Sequence, residues 1–310
     1  MPPPTDQENS LPVDHSHTLL TAFSSFLTIS IHNIIYYRHI YPQETFLSKK
    51  AFNLPVHQSR HPKVCAWITD AVTQVLAQLA TGSVSTVAVV IHSPFVTAPR
   101  PFRQPKTNPY TSSPTSSLSI SNSPPPTQIP GGSVLERYVF DVSRLPRWPS
   151  TRTHTTPADS MHIHGSRVMA KDFKMEKARG NYLDSDSINY VDVDEQFRGC
   201  LRRMAHAMEA MAPLPEGCGF TVAVELKKDG EAPIGHPQEW IPSQPSLQPS
   251  GSASSSQGQD LGGVNTTAVR SIEAGPLFVE CWVEEGEARE AFMKAHQESQ
   301  EDTVLRSERW

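Results

Sequence analysis

Apolar residues recur at spacings of three and four through Leu20, Phe23, Leu27, Ile31 and Ile34, which sets them on one stripe of an α-helix. Leu19, Phe26, Ile29 and Ile35 widen that stripe to most of the circumference. The helix is therefore predicted to be buried on nearly all sides and to be the element around which the chain folds. Pro42 stops it, because proline cannot donate to the helix ladder and pushes Tyr41 out of the helical region. Residues 44–56 then read as a pair of short extended segments around Lys49 and Lys50. A second helix is predicted from His61 or Pro62 to Ala80, with Val64, Ile68, Ala71, Val72, Val75 and Leu79 as its inner face. Pro62 suits its first position, and Gly82 suits the left-handed residue just past its end.

Residues 83–92, SVSTVAVVIH, are rich in β-branched side chains and read as a strand buried on both faces. Its partner is predicted at residues 134–142, with Leu135, Arg137, Val139 and Asp141 on one face and Tyr138, Phe140 and Val142 on the other. Helical spacing returns over residues 190–211 through Phe197, Leu201, Met204, Met208 and Met211. An alternating strand over 217–226 follows, with Phe220, Val222 and Val224 on one face. Trp240 and Ile241 suggest a short strand, as do residues 269–272 and 277–284. The tail, 285–310, is charged and reads as a weak amphipathic helix through Ala291, Phe292 and Ala295.

Composition changes the domain count. With 28 prolines and three Ser-, Pro- or Gly-rich tracts, at about 93–133, 144–189 and 243–268, much of the chain is too poor in large apolar groups to join a core. Without these tracts about 200 residues remain, a common size for one domain. The expectation is a disordered N-terminus over 1–17, a single domain over 18–284 interrupted by three low-complexity insertions, and the tail. The order of elements gives an α+β class, helices on one face of a mostly antiparallel sheet.

The net charge of -5 gives no electrostatic footprint for direct nucleic-acid binding. Cys65, Cys200, Cys218 and Cys281 stand far apart within apolar runs and read as buried free thiols. No basic segment precedes the first apolar run, so no signal peptide is expected. The stretch from Leu19 to Tyr37 holds no Asp, Glu, Lys or Arg, so a membrane-anchored protein using it as a span is the rival reading. Ser24, Ser25, Thr28, Ser30, His32 and Asn33 would be costly in lipid and favour a core helix.

Chemistry leaves little trace. There is no phosphate loop, dinucleotide fingerprint, HExxH or GxSxG. His162 and His164 form a pair in a polar tract without Cys or Asp at ligand spacing. No catalytic residues, no metal and no cofactor are expected, and the chain is read as a non-enzyme.

Taken together, IHNIIYYRHIYPQETFLSKKAFNLPV, VSTVAVVI, VLERYVFDV, EQFRGCLRRM, PEGCGFTVAV, EW and FVECWVEE resemble the HORMA domain family, and most of all its translesion-polymerase accessory branch. The resemblance covers nearly all residues predicted to be ordered and none of the three insertions. It implies three helices on an antiparallel sheet and a C-terminal "safety belt" that closes over a partner's peptide. It implies a non-catalytic adaptor in the nucleus, active in DNA damage tolerance. Its peptide, carrying proline, would come from the catalytic subunit of DNA polymerase zeta and meet Trp67, Phe220, Val222, Val224 and Trp240. Ile272, Glu280, Cys281 and Trp282 would form the surface for a second translesion polymerase, the deoxycytidyl transferase scaffold. Arg198 and Arg202 match the face through which HORMA domains pair with themselves or each other. A spindle-checkpoint or meiotic HORMA adaptor is the rival within the same family.

Overall fold

The computed structural model describes residues 13–94, 131–146, 188–227 and 265–294. Helix α1 (Val13–Tyr37) lies at the centre, starting five residues before the expected domain boundary at 18. Phe23, Phe26, Leu27, Ile31, Ile34 and Ile35 along it are at most 1% exposed, which suits a core helix on every side. By length and composition α1 could cross a bilayer. Here its apolar side chains are instead taken up by the other elements: Phe26 stacks on Phe197 at 4.6 Å and meets the edge of Phe140 at 5.9 Å.

A 3-10 turn (Gln43–Thr45) leads into a separate antiparallel hairpin of β1 (Phe46–Ala51) and β2 (Leu54–Ser59). Its two turn residues, Phe52 and Asn53, both take positive φ (47° and 58°), the conformation that matches the twist of a two-residue hairpin. Left-handed backbone is unfavourable for a bulky side chain, and the Phe52 ring is held against Phe197 at 5.6 Å. Helix α2 (Pro62–Ala80) follows, then β3 (Val84–His92), β4 (Val134–Asp141), α3 (Tyr190–Ala210), β5 (Gly219–Leu226), β6 (Asn265–Ala274), β7 (Leu277–Glu285) and a last helix α4 over 287–294.

The strands after α2 form one antiparallel sheet in the order β5-β3-β4-β7-β6. α1, α2 and α3 cover one face, so the layout is the expected α+β arrangement. Two bulges depart from simple alternation. Between Ile91 and His92 the register with β4 slips, so Leu135 turns toward the helices with Tyr138 and Phe140 instead of joining Val139 on the outer face. A second slip between Ala268 and Arg270 brings Val269 into the core as well. β6 also starts at Asn265, inside the tract read as the third insertion. Its first four residues are exposed and carry no hydrophobic signal, because the ladder to β7 makes the strand.

A buried polar cluster joins four elements. The Glu136 carboxylate, fully buried on β4, accepts from Arg38 Nη2 at 2.7 Å and Nε at 2.9 Å, and from the Tyr138 hydroxyl at 2.8 Å. Arg38, at the end of α1, also donates to the carbonyls of Met208 (3.2 Å) and Ala212 (2.7 Å) where α3 gives way to β5. Arg289 of α4 enters the same pocket, 3.1 Å from Glu136 and 2.9 Å from the Ala212 carbonyl. Burial pushes the Tyr138 phenol well above its ordinary range, and the Glu136 charge adds to this, so the hydroxyl stays a donor.

Candidate peptide-binding edge

β5 is an edge strand: among the described residues it pairs with β3 alone. Its register sets Phe220, Val222 and Val224 opposite Ile91, Val89 and Val87, so all three face the helix layer. Each is only half-buried, as suits a strand with no further strand beside it among the described residues. At the start of β5 the Phe220 ring meets Trp67 of α2 edge to face, with centroids 5.1 Å apart, and Tyr41 at 6.5 Å. Trp67 is half-buried and Tyr41 is 36% exposed. The three rings make an apolar, rigid border beside a strand edge that no other strand among the described residues pairs.

Trp67, Phe220, Val222 and Val224, the residues expected to meet a peptide, lie along this edge, and Tyr41, which was not among them, lies there too. Trp240 lies outside the described residues. The chain leaves β5 at Lys227, whose N–H donates to the Ser83 carbonyl at 2.8 Å. It next joins the sheet at Asn265 in β6, at the opposite edge. Residues 228–264 therefore connect the two edges of the sheet.

The opposite edge separates the four residues of the second expected surface. Ile272 and Cys281, 0% and 4% exposed, point into the core, whereas Glu280 is exposed and Trp282 is half-buried on the outer face. Strand alternation is the reason: neighbours along a strand take opposite faces, and Cys281 on β7 and Ile272 on β6 both fall on the inward one, so neither offers its side chain to a partner. On the outer face the register aligns Ala223, Ala88, Val139, Trp282 and Ala268 in one row across five strands. Arg137 reaches across this face to Glu225 at 2.5 Å and Glu284 at 3.1 Å, and Trp282 Nε1 donates to Glu284 at 2.7 Å.

The third expected surface is the outward side of α3. Arg202 and Arg203 are exposed, while Arg198 donates to Glu195 at 2.6 Å. They line a groove completed by Leu54 of the β2 start and by Arg270 of β6. Sequence reasoning did not foresee Arg270. A Cβ on Gly199 would lie 2.6 Å from its guanidinium, so the mid-helix glycine makes room for it. Arg270 also donates to Gln196 at 3.0 Å.

Burial raises Cys65, Cys218 (to about 11) and Cys281, and a thiol must lose its proton to attack. The described residues contain no group of three or more His, Cys, Asp or Glu able to hold a metal. His162 and His164 are outside the described residues.

No protein-family model matches the chain. It is 28% identical over 263 residues to the DNA polymerase zeta processivity subunit of Schizosaccharomyces pombe, covering 84% of this chain and 90% of that protein. It is 38% identical over 66 residues to the human mitotic spindle assembly checkpoint protein MAD2B, a match spanning 21% of this chain and 31% of that protein. Among solved structures, a chain of a mitotic checkpoint complex shares the fold with a TM-score of 0.51 and 16% identity, over 87% of this chain and 96% of that one. With helices over one antiparallel sheet and a relative matched along most of its length, the chain has a HORMA-like fold and is similar to the processivity subunit of DNA polymerase zeta.

Proposed function

We propose that this chain is the non-catalytic adaptor subunit of a translesion DNA polymerase zeta. It holds an extended, proline-containing peptide of the catalytic subunit against β5 and bridges it to a second translesion polymerase in the nucleus. The observation that carries the reading is the free edge of β5 beside Tyr41, Trp67 and Phe220. A peptide added there gains main-chain hydrogen bonds from the strand and selectivity from the aromatic border. The stretch that begins at Trp240 acts as the safety belt, as the family resemblance implies. Glu280 and Trp282, on the outer face of β7, serve the second polymerase.

The test uses the full chain and a set of overlapping synthetic peptides tiling the polymerase zeta catalytic subunit of the same organism, titrated by calorimetry. A proline-containing peptide binds the wild type and loses affinity against Trp67→Ala. Binding by no peptide, or equal binding by both proteins, overturns the reading. A spindle-checkpoint or meiotic adaptor would instead bring down a peptide from a checkpoint or chromosome-axis protein.

A further inference from the structure

We infer that Arg289 is the lock that fixes the β6–β7 hairpin on the β4 edge; the consequence for a captured peptide rests on the reading just given. β7 ends at Glu285 and α4 starts at 287, so whatever seats α4 also fastens the hairpin. Arg289 is 3% exposed and reaches Glu136 of β4, the Ala212 carbonyl after α3, and Glu285 one turn back. The joint between strand and helix is equally close-fitting. Gly286 N–H donates to the Leu135 carbonyl at 2.9 Å, and a Cβ there would stand 2.6 Å from the Val134 carbonyl oxygen.

The pocket is built so that Arg289 can leave. Glu136 keeps both Arg38 bonds and the Tyr138 hydroxyl without it, and the Ala212 carbonyl keeps Arg38. Arg289 carries its own carboxylate partner, Glu285. Each side is therefore charge-balanced alone, and withdrawal strands no buried ion. Arg289 Nε is buried without a hydrogen-bond partner among the described residues, a defect that keeps the seated state only modestly favoured. Since β6 is where residues 228–264 rejoin the sheet, releasing the hairpin frees the far anchor of that segment.

The experiment is hydrogen exchange on the full chain without any ligand, comparing wild type, Arg289→Met and Gly286→Ala. Met keeps much of the stem and removes the charge, and Gly286→Ala obstructs the same seat with the charge intact. Both variants should speed exchange of the β7 amides, such as Cys281 and Val283, by about tenfold or more, while Val89 and Val222 in the β3–β5 pair stay within about twofold. Unchanged exchange, or an equal rise in both pairs of strands, overturns the proposal, the latter because Arg289 would then serve only general stability. In parallel, a fluorescent copy of the peptide selected above should dissociate faster from Arg289→Met. If exchange responds and no peptide binds the wild type, the lock stands and the adaptor reading fails.

Discussion

Trp67 and Phe220 meet edge to face at 5.1 Å, joining α2 to the free edge strand where nothing else among the described elements covers β5. Both rings keep solvent-facing surface while packing against the core. Replacing Trp67 by Ala should weaken peptide capture by about 2 kcal/mol or more, the cost typical of a central aromatic anchor. Trp67→Phe retains a flat apolar face and should recover most of that affinity. Tyr41→Ala, at the more exposed end of the border, should cost less than Trp67→Ala. Calorimetric titration of the three variants against one peptide checks the order, and a Tyr41 effect larger than that of Trp67 would contradict it.

Glu136 answers two arginines and a tyrosine from a fully buried position. Glu136→Ala leaves the Arg38 and Arg289 cations facing one another without the carboxylate, and breaking a buried pair in this way costs about 3–5 kcal/mol. Urea unfolding should show a loss of that order. Arg38→Met combined with Glu136→Leu should be more stable than Glu136→Leu alone, since one unpaired cation is then removed along with its partner. A double variant weaker than the single one would mean that the Arg38 bonds to the carbonyls after α3 outweigh the ion pair.

Glu280 and Trp282 share the outer face of β7, and Cys281 between them points to the core. Trp282→Ala and Glu280→Lys should reduce binding of the second polymerase by about tenfold or more, as loss of an interface anchor does, and leave peptide capture at β5 unchanged. Cys281→Ser should behave differently: it buries a hydroxyl in an apolar site and should lower thermal stability by about 1–3 kcal/mol. Surface plasmon resonance with each partner, beside thermal melts, separates the two effects.

The helices were legible because their apolar spacing is long and regular: α2 was read almost to the residue from Ile68 and Val75, and the body of α1 from Phe23 and Ile31, although α1 starts earlier and ends sooner than its apolar stripe and Pro42 suggested. β3 and β4 were recognised as partners despite the residues between them, since both are runs of β-branched and aromatic side chains. The aromatic border was half legible: Trp67 and Phe220 followed from the family resemblance, while Tyr41 did not, because nothing local ties it to a strand nearly 180 residues away. The cluster of Arg38, Glu136 and Arg289 was not legible at all. Each is an ordinary charged residue in its own segment, and only tertiary packing makes them buried partners. The bulges were hidden for a related reason, since alternation in β4 taken alone places Leu135 on the wrong face.

His32 supplies a pH dependence whose direction is fixed by its surroundings. Its ring is 2% exposed in the interface between α1 and β2, and Nδ1 accepts the Ser59 N–H at 3.4 Å, a bond that requires that nitrogen to be unprotonated. Burial first, and the Lys49 charge second, lower its pKa from 6.5 to about 4. The folded chain therefore binds fewer protons than the unfolded chain between these values, so stability is full above about 6.5 and falls as pH drops toward 4. The loss attributable to this residue is at most about 3–4 kcal/mol, from 1.36 kcal/mol per unit. His57, stacked on Tyr36 at 3.5 Å and lowered by burial, acts in the same direction. Urea midpoints measured from pH 7 to pH 4.5 should fall for the wild type and fall less for His32→Asn, which cannot be protonated. A wild-type midpoint that holds steady over this range would show that the ring accepts a proton without opening the junction between α1 and β2.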